Sequence, residues 1–467
     1  MVALYESVEH LDKRAVESFF MSEELLMEHA ALAMKREIIS RFPSGAKVLI
    51  VSGSGNNGAD GLALARLLAM EKGFLPSVYL PFGTSTWLGS KQLERLKALG
   101  IESVGEIREC DVLVDALFGS GFKRKLEDEG ATVILSAMNS LRAFKIACDI
   151  PSGVSVDGSF GITAKVDLTV TMGAPKLVLF TDRIKDFAGR IIVGDLGLPK
   201  EAFAAHSDSF LLERSDMKLP LRNVQDSHKG SYGHLAVVMG DKPGAALLSA
   251  FASMRFGAGL TTVITKSRVQ QLPPDLIQVR RPLAGTLAIA VGMGLGEAYV
   301  DEEITAMIAD LPVVIDADAL YRPFTLDLIK SGRNVVLTPH PKEFAALLRL
   351  CDLGEYTIEE VQENRLALSL TFSNTFPNAI LILKGANVIV ANGRRRFLNP
   401  LGSPVLAKGG SGDVLSGMVG SLIAQGYSPL EAAINASLAH TIAASNFKGA
   451  NYSMTPSDLI EELRYLA

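Results

Sequence analysis

The chain has 467 residues, of which 48% are hydrophobic and 21% are charged, and its formal net charge at pH 7 is −5. This length predicts two or three domains, and the composition is typical of globular proteins rather than disordered ones. The acidic balance argues against nucleic-acid binding, and the densest basic cluster, residues 394–397 (RRRF), is expected to be a solvated loop. Glycine, serine and proline interrupt the uncharged stretches, so we expect no membrane span.

The three cysteines, Cys110, Cys148 and Cys351, are far apart and show no spacing typical of a metal site. Free thiols of this kind are usual in a reducing compartment, so the sequence predicts a cytoplasmic protein. The N-terminal segment is charged and amphipathic and lacks the apolar core of a signal peptide.

Strand-like and helix-like segments alternate along the first half of the chain. After a helical N-terminal region, the apolar run 47–52 (KVLIVS) is followed by a glycine turn and the helix-like segment 61–70 (GLALARLLAM). Further strand-like runs lie at 77–82, 111–118, 144–150, 167–173 and 190–197. Such alternation predicts the α/β class, with a mainly parallel sheet and helices on both faces.

The second half repeats this style after a polar, turn-rich stretch at 211–233, which we interpret as a linker. Strand-like runs follow at 234–241, 260–266, 287–294, 312–318, 334–340 and 379–385, and helix-like segments lie at 245–258, at 343–350 and after residue 412. We therefore predict two domains, residues 1–215 and 225–467, each with a mainly parallel sheet sandwiched by helices.

The glycine-rich stretch 53–61 (GSGNNGADG) follows a strand and begins a helix, and its first six residues match the dinucleotide fingerprint G-x-G-x-x-G. That fingerprint also needs an acidic residue at the end of the next strand, where this chain has Pro81 and Phe82. An ordinary dinucleotide site is therefore not expected. Backbone N–H groups at the start of the helix can still bind a phosphate.

Polar side chains also follow two further strands of this series. Asp115 ends one strand before a glycine loop, and Asp149 ends another shortly before Ser152. The carboxyl ends of parallel strands meet at one edge of a sheet, where ligands bind. We therefore expect Asn57, Asp115 and Ser152 to offer hard oxygen ligands to a cation, with the Asp149 carboxylate nearby. The alternative for each residue is that it caps its own turn.

In this order, the segments resemble the NAD(P)H-hydrate epimerase domain, whose GNNGGDG motif corresponds to GNNGADG here, with DALFGSG, DIPSG and AKVDLTVTMGAPK (164–176) at the matching places. The resemblance covers residues 1–215 and implies a Rossmann-like fold with a potassium ion held by Asn57, Asp115 and Ser152. The implied substrate-binding residues are Asn56, Asn57, Gly58, Ala59, Asp60, Gly119, Ser120, Gly121, Phe122, Lys123, Arg124, Lys125 and Asp149, and Asp149 is also the implied catalytic residue. The one departure, Ala59 for glycine, matters only if that position needs a positive φ.

In the second half, residues 409–413 (GGSGD) stand directly before an apolar helix. The unpaired N–H groups and the dipole favour an anion there, and Asp413, facing a phosphate and a hydroxyl, can act as a base. Taken alone, Asp413 is better explained as a helix cap. A lone Lys384 is usually a solvated residue, but at a strand end beside a glycine it fits a diphosphate. The sequence has no G-x-x-x-x-G-K-[ST] motif, which excludes a P-loop.

These segments resemble the ribokinase-like superfamily and, within it, the ADP- or ATP-dependent NAD(P)H-hydrate dehydratase, whose PHPGE, LKG and GGTGDVLAG signatures correspond to PHPKE, LKG and GGSGDVLSG here. The resemblance spans residues 225–467 and implies a ribokinase-like fold. The implied nucleotide-binding residues are Lys384, Gly385, Ala386, Asn387, Val388 and Gly412, and the implied hydrate-binding residues are Ala258, Gly259, Gly294, His340 and Asp413, with Asp413 as general base. The departures are Ser411, Ser416 and Lys342, and Lys342 places a cation near the substrate region.

Together the resemblances imply repair of hydrated NADH and NADPH (NADHX and NADPHX). The first domain would interconvert the R and S epimers, and the second would dehydrate the S form at the expense of ADP or ATP, with Mg²⁺. They also imply a homo-oligomer without nucleic-acid or membrane partners. The alternative is a ribokinase-like kinase for a small-molecule hydroxyl, with a non-catalytic N-terminal binding module. A kinase would release a stable phosphate ester, whereas the dehydratase releases reduced nicotinamide.

Overall fold

The computed structural model describes residues 1–121, 129–155, 161–270 and 272–467. The chain forms two compact units, Ala3–Ser207 and Asp208–Ala467, and Met1–Val2 belong to the second of them. Among the described residues, no helix has both the length and the apolar character that crossing a bilayer requires.

The N-terminal strand β1 (Val2–Ala3) lies at the edge of the second unit's sheet. The helices of the first unit are α1 (Glu9–Phe19), α2 (Glu23–Ile39), α3 (Asn56–Ala69), α4 (Trp87–Ala98) and α5 (Glu129–Ser140). Its strands are β2 (Lys47–Ser52), β3 (Leu75–Tyr79), β4 (Glu102–Val104), β5 (Val112–Ala116), β6 (Phe144–Cys148), β7 (Leu168–Met172) and β8 (Arg190–Gly194). They form a sheet in the order β4-β3-β2-β5-β6-β7-β8, and every neighbouring pair is parallel.

Both faces of this first sheet are buried, as its uninterrupted apolar runs predict. Val48 and Ile50 of β2 pack into the cluster that includes residues of α1 to α4, whereas Leu49 and Val51 pack into the cluster on the other face with α5. Successive side chains of a strand point to opposite faces, so an apolar strand without alternation needs a helical layer on each side. The predicted α/β architecture is confirmed for this unit.

The strand order places a crevice at the carboxyl ends of β2 and β5. β2 pairs with β3 on one side and with β5 on the other, so the connections leave in opposite directions from this point. Gly53 comes directly after β2, and a Cβ there would lie 1.8 Å from the carbonyl oxygen of Leu117. A Cβ at Gly58 would lie 1.8 Å from the carbonyl oxygen of Gly53. These glycines are therefore required by close backbone approach at the crevice.

The strands of the second unit are β9 (Ser209–Leu211), β10 (His234–Val238), β11 (Leu260–Ile264), β12 (Ile277–Val279), β13 (Ala288–Val291), β14 (Val313–Ile315), β15 (Val335–Leu337), β16 (Ala379–Leu383), β17 (Val388–Asn392) and β18 (Arg395–Asn399). Its helices are α6 (Pro243–Arg255), α7 (Asp301–Ile308), α8 (Pro323–Lys330), α9 (Pro341–Leu350), α10 (Ile358–Glu363), α11 (Arg365–Thr375), α12 (Ser411–Ala424), α13 (Pro429–Asn446) and α14 (Pro456–Glu462).

The second sheet has the order β1-β9-β18-β17-β16-β15-β14-β13-β10-β11-β12. The strands from β12 to β16 in this order are parallel, and β17 is antiparallel to both β16 and β18. Apolar residues of α6, α12, α13 and α14 cover one face, and those of α7, α8, α9, α10 and α11 cover the other. The predicted mainly parallel sheet between helices is confirmed here as well.

Two local features differ from the sequence interpretation. Residues 394–397 are not simply a solvated loop: Arg395 begins β18, and Arg396 is buried within that strand although Arg394 and Arg395 are exposed. The predicted linker at 211–233 also lies within the second unit and does not connect the two sheets. β9 pairs in parallel with β18, so the chain joins the second sheet already at Ser209. The sequence could not indicate this pairing, because β9 is a three-residue strand within a polar stretch.

Candidate active sites

A cavity of about 850 Å³ opens at the carboxyl ends of β2, β5 and β6 in the first unit. The predicted residues that line it are Asn56, Asn57, Asp60, Gly119, Ser120, Gly121 and Asp149. Gly58 and Ala59 lie buried in the first turn of α3, and Ala59 has no positive φ, so its Cβ causes no backbone strain. Phe122, Lys123, Arg124 and Lys125 lie outside the described residues.

Asp149 follows β6 with a left-handed φ of 73°, a conformation that non-glycine residues adopt only when their surroundings enforce it. The Lys176 ammonium donates to Asp149 Oδ1 at 2.5 Å, and the Ser120 N–H donates to Asp149 Oδ2 at 3.0 Å. Burial is the largest single effect and disfavours the carboxylate, but the Lys176 charge together with the hydrogen bonds from Lys176 and Ser120 holds the pKa of Asp149 below its usual value. Asp149 is therefore an ionised carboxylate at the base of the cavity.

Asp60 lies at the same cavity in a different electrostatic environment. Burial, with repulsion from Asp149 and Asp12, raises the pKa of Asp60 well above its usual value. The Cys148 thiol lies 4.0 Å from Asp60 Oδ2. Asp60 is therefore expected to be a neutral carboxylic acid that can donate a hydrogen bond, unlike Asp149.

The predicted potassium ligands come from the ends of three strands. The hydroxyl of Ser152 donates to Asp115 Oδ1 at 2.6 Å, and the N–H of Ser152 donates to Asp115 Oδ2 at 2.7 Å. A Cβ at Gly119 would lie 3.0 Å from Asn57 Oδ1, so Asn57 reaches the loop that follows β5. Burial raises the pKa of Asp115 to about 6 despite the hydrogen bonds from Ser152.

Two features of this cluster indicate whether it could bind a cation. Asp115 is buried and, among the described residues, accepts hydrogen bonds but forms no ion pair. The Asn57 side-chain N–H₂ group is buried and has no hydrogen-bond partner in the described part of the chain. Amide nitrogen and oxygen positions are interchangeable assignments, so this group can present its oxygen instead. One buried carboxylate, one amide oxygen and one hydroxyl are hard oxygen donors, which suit a hard cation.

In the second unit, Asp413 lies in the first turn of α12, which begins after Gly410 at φ 95°. A Cβ at Gly412 would lie 3.1 Å from Lys384 Nζ, so this first turn lies directly beside the lysine. Burial and repulsion from Asp316 raise the pKa of Asp413 to about 6 despite the lysine charge. A carboxylate with such a pKa is ionised at neutral pH and is basic enough to accept a proton.

Lys384 follows β16 and connects several acidic groups. Its ammonium donates to Asp316 Oδ1 at 2.8 Å and lies 3.7 Å from Glu343 Oε2. The Ser416 hydroxyl donates to Asp316 Oδ2 at 2.6 Å. Although burial opposes both charges, the ion pair lowers the pKa of Asp316 and raises the pKa of Lys384. Lys384 is therefore held as a cation beside the N-terminus of α12.

Most of the remaining predicted residues lie at the same edge of this sheet. His340 precedes α9, and its Nδ1 accepts a hydrogen bond from the backbone N–H of Lys342 at 3.1 Å. The Lys342 side chain is exposed. Gly294 follows β13 with a φ of 62°. Gly385, Ala386 and Asn387 lie in the turn from β16 into β17, and Val388 begins β17. His340, Gly294 and Lys384 thus follow the carboxyl ends of β15, β13 and β16.

Ala258 and Gly259 are placed differently. They directly precede β11, at its amino end, whereas the other predicted residues follow the carboxyl ends of parallel strands. The five residues of β11 span about 17 Å at about 3.3 Å per residue. Gly259 lines a separate cavity of about 420 Å³ with Arg222 and Tyr232. Within one chain, the structure does not bring Ala258 and Gly259 to Asp413.

Family models match both units. Residues 235–464 match the model described as NAD(P)H-hydrate dehydratase, and residues 23–178 match the model described as YjeF-related protein N-terminus. A bifunctional NAD(P)H-hydrate repair enzyme of Helicobacter pylori is 41% identical over 100% of both chains. The chain belongs to the family of bifunctional NAD(P)H-hydrate repair enzymes.

Another member of this repair-enzyme family, from Coxiella burnetii, is 32% identical over 100% of this chain and 99% of its own. A solved structure, an ADP/ATP-dependent NAD(P)H-hydrate dehydratase from Bacillus subtilis co-crystallized with ATP and Mg²⁺, is 29% identical. It aligns with 54% of this chain and 94% of its own, with a TM-score of 0.47.

Sequence reasoning missed several charged residues of this repair enzyme. Lys176, the partner of Asp149, stands in the quoted segment 164–176, but no role was inferred for it. Asp316 and Glu343 surround Lys384. Asp316 carries a signal that could have been used, because it directly follows a buried strand, as Asp115 ends one. Asp12 carries no such signal, because it lies on an amphipathic helix far from the motifs in sequence.

Proposed function

We propose that the two units perform successive repair steps on hydrated nicotinamide dinucleotides. Residues 1–215 interconvert the R and S forms of NADHX and NADPHX, and residues 225–467 convert the S form into NADH or NADPH with ADP or ATP. The observation that carries the proposal is full-length similarity to a bifunctional repair enzyme, together with a separate acidic site in each unit.

In the dehydratase step, Asp413 is proposed as the general base. The hydroxyl on nicotinamide C6 leaves poorly, and phosphorylation makes it a good leaving group. The hydroxyl oxygen attacks the terminal phosphorus of the nucleotide while its proton passes to Asp413. Phosphate then leaves C6 and a proton leaves C5, which restores the dihydronicotinamide. The pKa of Asp413, raised to about 6 by burial, suits this role at neutral pH.

We assign the nucleotide to Lys384, Gly385, Ala386, Asn387, Val388 and Gly412. The Lys384 ammonium and the N-terminal N–H groups of α12 lie side by side, which provides complementary charge for a transferring phosphoryl group. Asp316 and Ser416 would keep the lysine in place through their hydrogen bonds. We assign the hydrate to Gly294, His340 and Asp413.

Magnesium is proposed to enter this site with the nucleotide. Asp413, Asp316, Glu343 and Asp318 interact electrostatically around a single lysine, so the site has an excess of negative charge that suits a hard cation. The described residues contain no group of three or more acidic, histidine or cysteine side chains placed to hold a metal by themselves. Mg²⁺ commonly binds through one or two carboxylates plus substrate phosphates and waters, and Glu343 and Asp318 are the proposed protein ligands. When bound, the ion would neutralise phosphate charge.

In the epimerase step, Asp149 is proposed as a proton-transfer residue at C6, with Asn56, Asn57, Gly58, Ala59, Asp60 and residues 119–125 binding the substrate. Asn57, Asp115 and Ser152 would hold potassium. When bound, the ion would compensate the buried Asp115 charge and fix the loop after β5 relative to α3.

Ala258 and Gly259 lie at the other edge of the second sheet, so we propose that they contact the hydrate only in an assembly of several copies of the chain. Light scattering coupled to size-exclusion chromatography tests this homo-oligomer. A cytoplasmic location is also proposed, on the basis of the free cysteines Cys110, Cys148 and Cys351.

The experiment that tests the proposed function supplies a chemically prepared mixture of R and S hydrates with ADP or with ATP and follows the absorbance of reduced nicotinamide. Complete conversion supports both steps, and the nucleotide that sustains it is the co-substrate. Conversion that stops at the S fraction, with the remainder consumed only at the spontaneous rate, refutes the epimerase assignment. Accumulation of a stable phosphate ester refutes the dehydratase assignment and favours a hydroxyl kinase.

A further inference from the structure

Three aspartates interact electrostatically with one another and with Lys176 at the cavity of the first unit, which is also lined by Glu9, Lys13, Glu17 and Glu23. Asp12, Asp60, Asp149 and Lys176 all line it. Only Asp149 among these carboxylates forms an ion pair with Lys176 in the described structure. Full ionisation would therefore leave two uncompensated negative charges in a partly enclosed space, which is unfavourable.

Asp12 reaches this cavity from α1, which the motifs do not include. Leu11 and Ala15 are fully buried and fix the face of α1 that packs on the unit, and Arg14 holds the helix through a hydrogen bond to the Ala204 carbonyl at 2.7 Å. Asp12 is half-buried between these anchors and lies on the cavity wall. No ion pair or side-chain hydrogen bond of Asp12 occurs within the described residues, so its carboxyl is available to a ligand.

The three carboxyl groups differ in protonation for identifiable reasons. Burial raises the pKa of Asp149, but the Lys176 charge and the hydrogen bonds from Lys176 and Ser120 together lower it below its usual value. Burial raises the pKa of Asp60 well above its usual value. Burial also raises the pKa of Asp12 to about 6, with a lowering contribution from Lys176 and a raising one from Asp149. These three aspartates thus comprise one ionised carboxylate, one neutral acid and one carboxyl that changes protonation near neutral pH.

Epimerisation at C6 requires a proton donor and a proton acceptor. C6 carries both the hydroxyl and the ring nitrogen, so the nitrogen lone pair can expel the protonated hydroxyl as water and form a C=N iminium. Addition of water to the opposite face of that iminium, with loss of one proton, gives the other epimer. The iminium is a strong electrophile, so a weak base is sufficient for the second step.

We propose that Asp12 is a further catalytic residue of the epimerase: its carboxyl protonates the departing C6 hydroxyl, and the Asp149 carboxylate accepts the proton of the incoming water. This inference rests on the proposed epimerase function. In one turnover the C6–O bond breaks and a new one forms, one proton leaves Asp12, and one proton is gained by Asp149. A turnover in the opposite direction, or exchange with water, restores the starting state.

The pH dependence follows from the requirement for one shared proton. By microscopic reversibility, both directions need one proton on the Asp12 and Asp149 pair, so the rate falls as pH rises through the pKa of Asp12. The charged groups that interact with Asp12 are Lys176, Asp149, Asp60, Glu9 and His10. Lys13, Glu17 and Glu23 also line the cavity. Removing the Asp12 carboxyl should abolish this fall of the exchange rate with rising pH, which is called the alkaline limb of the pH profile below.

The test compares Asp12→Asn with the full-length wild-type chain and with Glu94→Gln, which removes one exposed carboxylate of α4. R-to-S exchange is measured by NMR on the hydrate without nucleotide, with the spontaneous rate subtracted at each pH. General acid catalysis predicts about a 10²-fold loss of kcat or more in Asp12→Asn with a small change in KM. Glu94→Gln should match the wild type. Dehydration of pure S hydrate by Asp12→Asn should remain normal, which shows that the second unit is folded, and circular dichroism and thermal unfolding of the full-length variant check the first unit.

If the wild type exchanges the epimers faster than the spontaneous rate, and Asp12→Asn has the same rate and the same pH profile, this inference is overturned but the proposed epimerase function is not. A wild-type rate equal to the spontaneous rate would overturn the proposed epimerase function instead. If Asp12→Asn lowers the exchange rate but keeps the alkaline limb of the wild-type pH profile, Asp12 has only a structural role and the inference fails. If Asp12→Glu partly recovers both the exchange rate and the alkaline limb of the pH profile, the inference is supported.

Discussion

Lys384 Nζ lies 2.8 Å from Asp316 Oδ1, and a Cβ at Gly412, the residue before Asp413, would lie 3.1 Å from the same ammonium. The ion pair therefore positions a half-buried positive charge against the first turn of α12. Asp316 is itself held by the Ser416 hydroxyl, which donates to its other oxygen. A phosphoryl group at this helix N-terminus would contact both the lysine and the backbone N–H groups.

Breaking this ion pair should destabilise the second unit. Lys384→Met leaves the Asp316 carboxylate buried without its cation, and the loss of a buried partner typically costs about 3–5 kcal/mol of unfolding free energy. The double variant Asp316→Asn with Lys384→Met removes both charges and should recover most of that stability. Thermal and denaturant unfolding of the full-length chain measure the effect.

The matched control for the Lys384→Met comparison is Lys330→Met, which removes an exposed lysine from the end of α8. Its unfolding free energy should stay within about 0.5 kcal/mol of the wild type. If Lys384→Met proves as stable as the control, the ion pair makes no contribution and the proposed positioning of Lys384 is wrong.

Dehydration should lose rate in acid. Asp413 must be ionised to accept the hydroxyl proton, and burial raises the pKa of Asp413 to about 6. kcat/KM on pure S hydrate should therefore be constant at neutral pH and fall as pH decreases through about 6. This sign is opposite to that expected for R-to-S exchange, which loses rate as pH rises through the Asp12 pKa. A dehydration profile that stays flat through this range would contradict the role of Asp413 as base.

Potassium should stabilise the first unit and accelerate exchange of the epimers. Without a cation, the pKa of buried Asp115 is raised to about 6, so binding of a positive ion favours its carboxylate form. Replacement of sodium by potassium at constant ionic strength should raise the thermal midpoint of the wild type, because the ion binds only the folded state.

Asp115→Asn should abolish this potassium response, and Glu94→Gln should retain it. Calorimetry of the full-length chain in the two salts provides the measurement. If potassium shifts the thermal midpoint equally in the wild type and in Asp115→Asn, the ion does not bind at Asp115 and the proposed potassium site is wrong.

The sequence predicted the two α/β units, and most of its predicted site residues lie at the carboxyl edges of the two sheets, where their roles stay predictions. It succeeded where apolar runs require burial on both faces, as in β2, and where glycines precede a helix, as at residues 409–412. It failed for side chains that approach a site from distant segments. Asp12 reaches the first cavity from α1 and Lys176 from beyond β7, and only the packing of the unit brings them to Asp149.

Ala258 and Gly259 show a different limit. The resemblance to the dehydratases implies that they bind the hydrate, yet they stand before β11 at the edge of the sheet away from Asp413. A motif identifies residues that act together in a family, but the direction of each parallel strand determines which sheet edge they occupy within one chain.

The most direct test of the account is dehydration of pure S hydrate by Asp413→Asn in the full-length chain with the preferred nucleotide. The amide has the same size as the carboxylate but cannot accept the hydroxyl proton. The account predicts that kcat falls by about 10²–10⁴-fold while exchange between the R and S forms continues at the wild-type rate. Release of reduced nicotinamide at the full wild-type rate would contradict it.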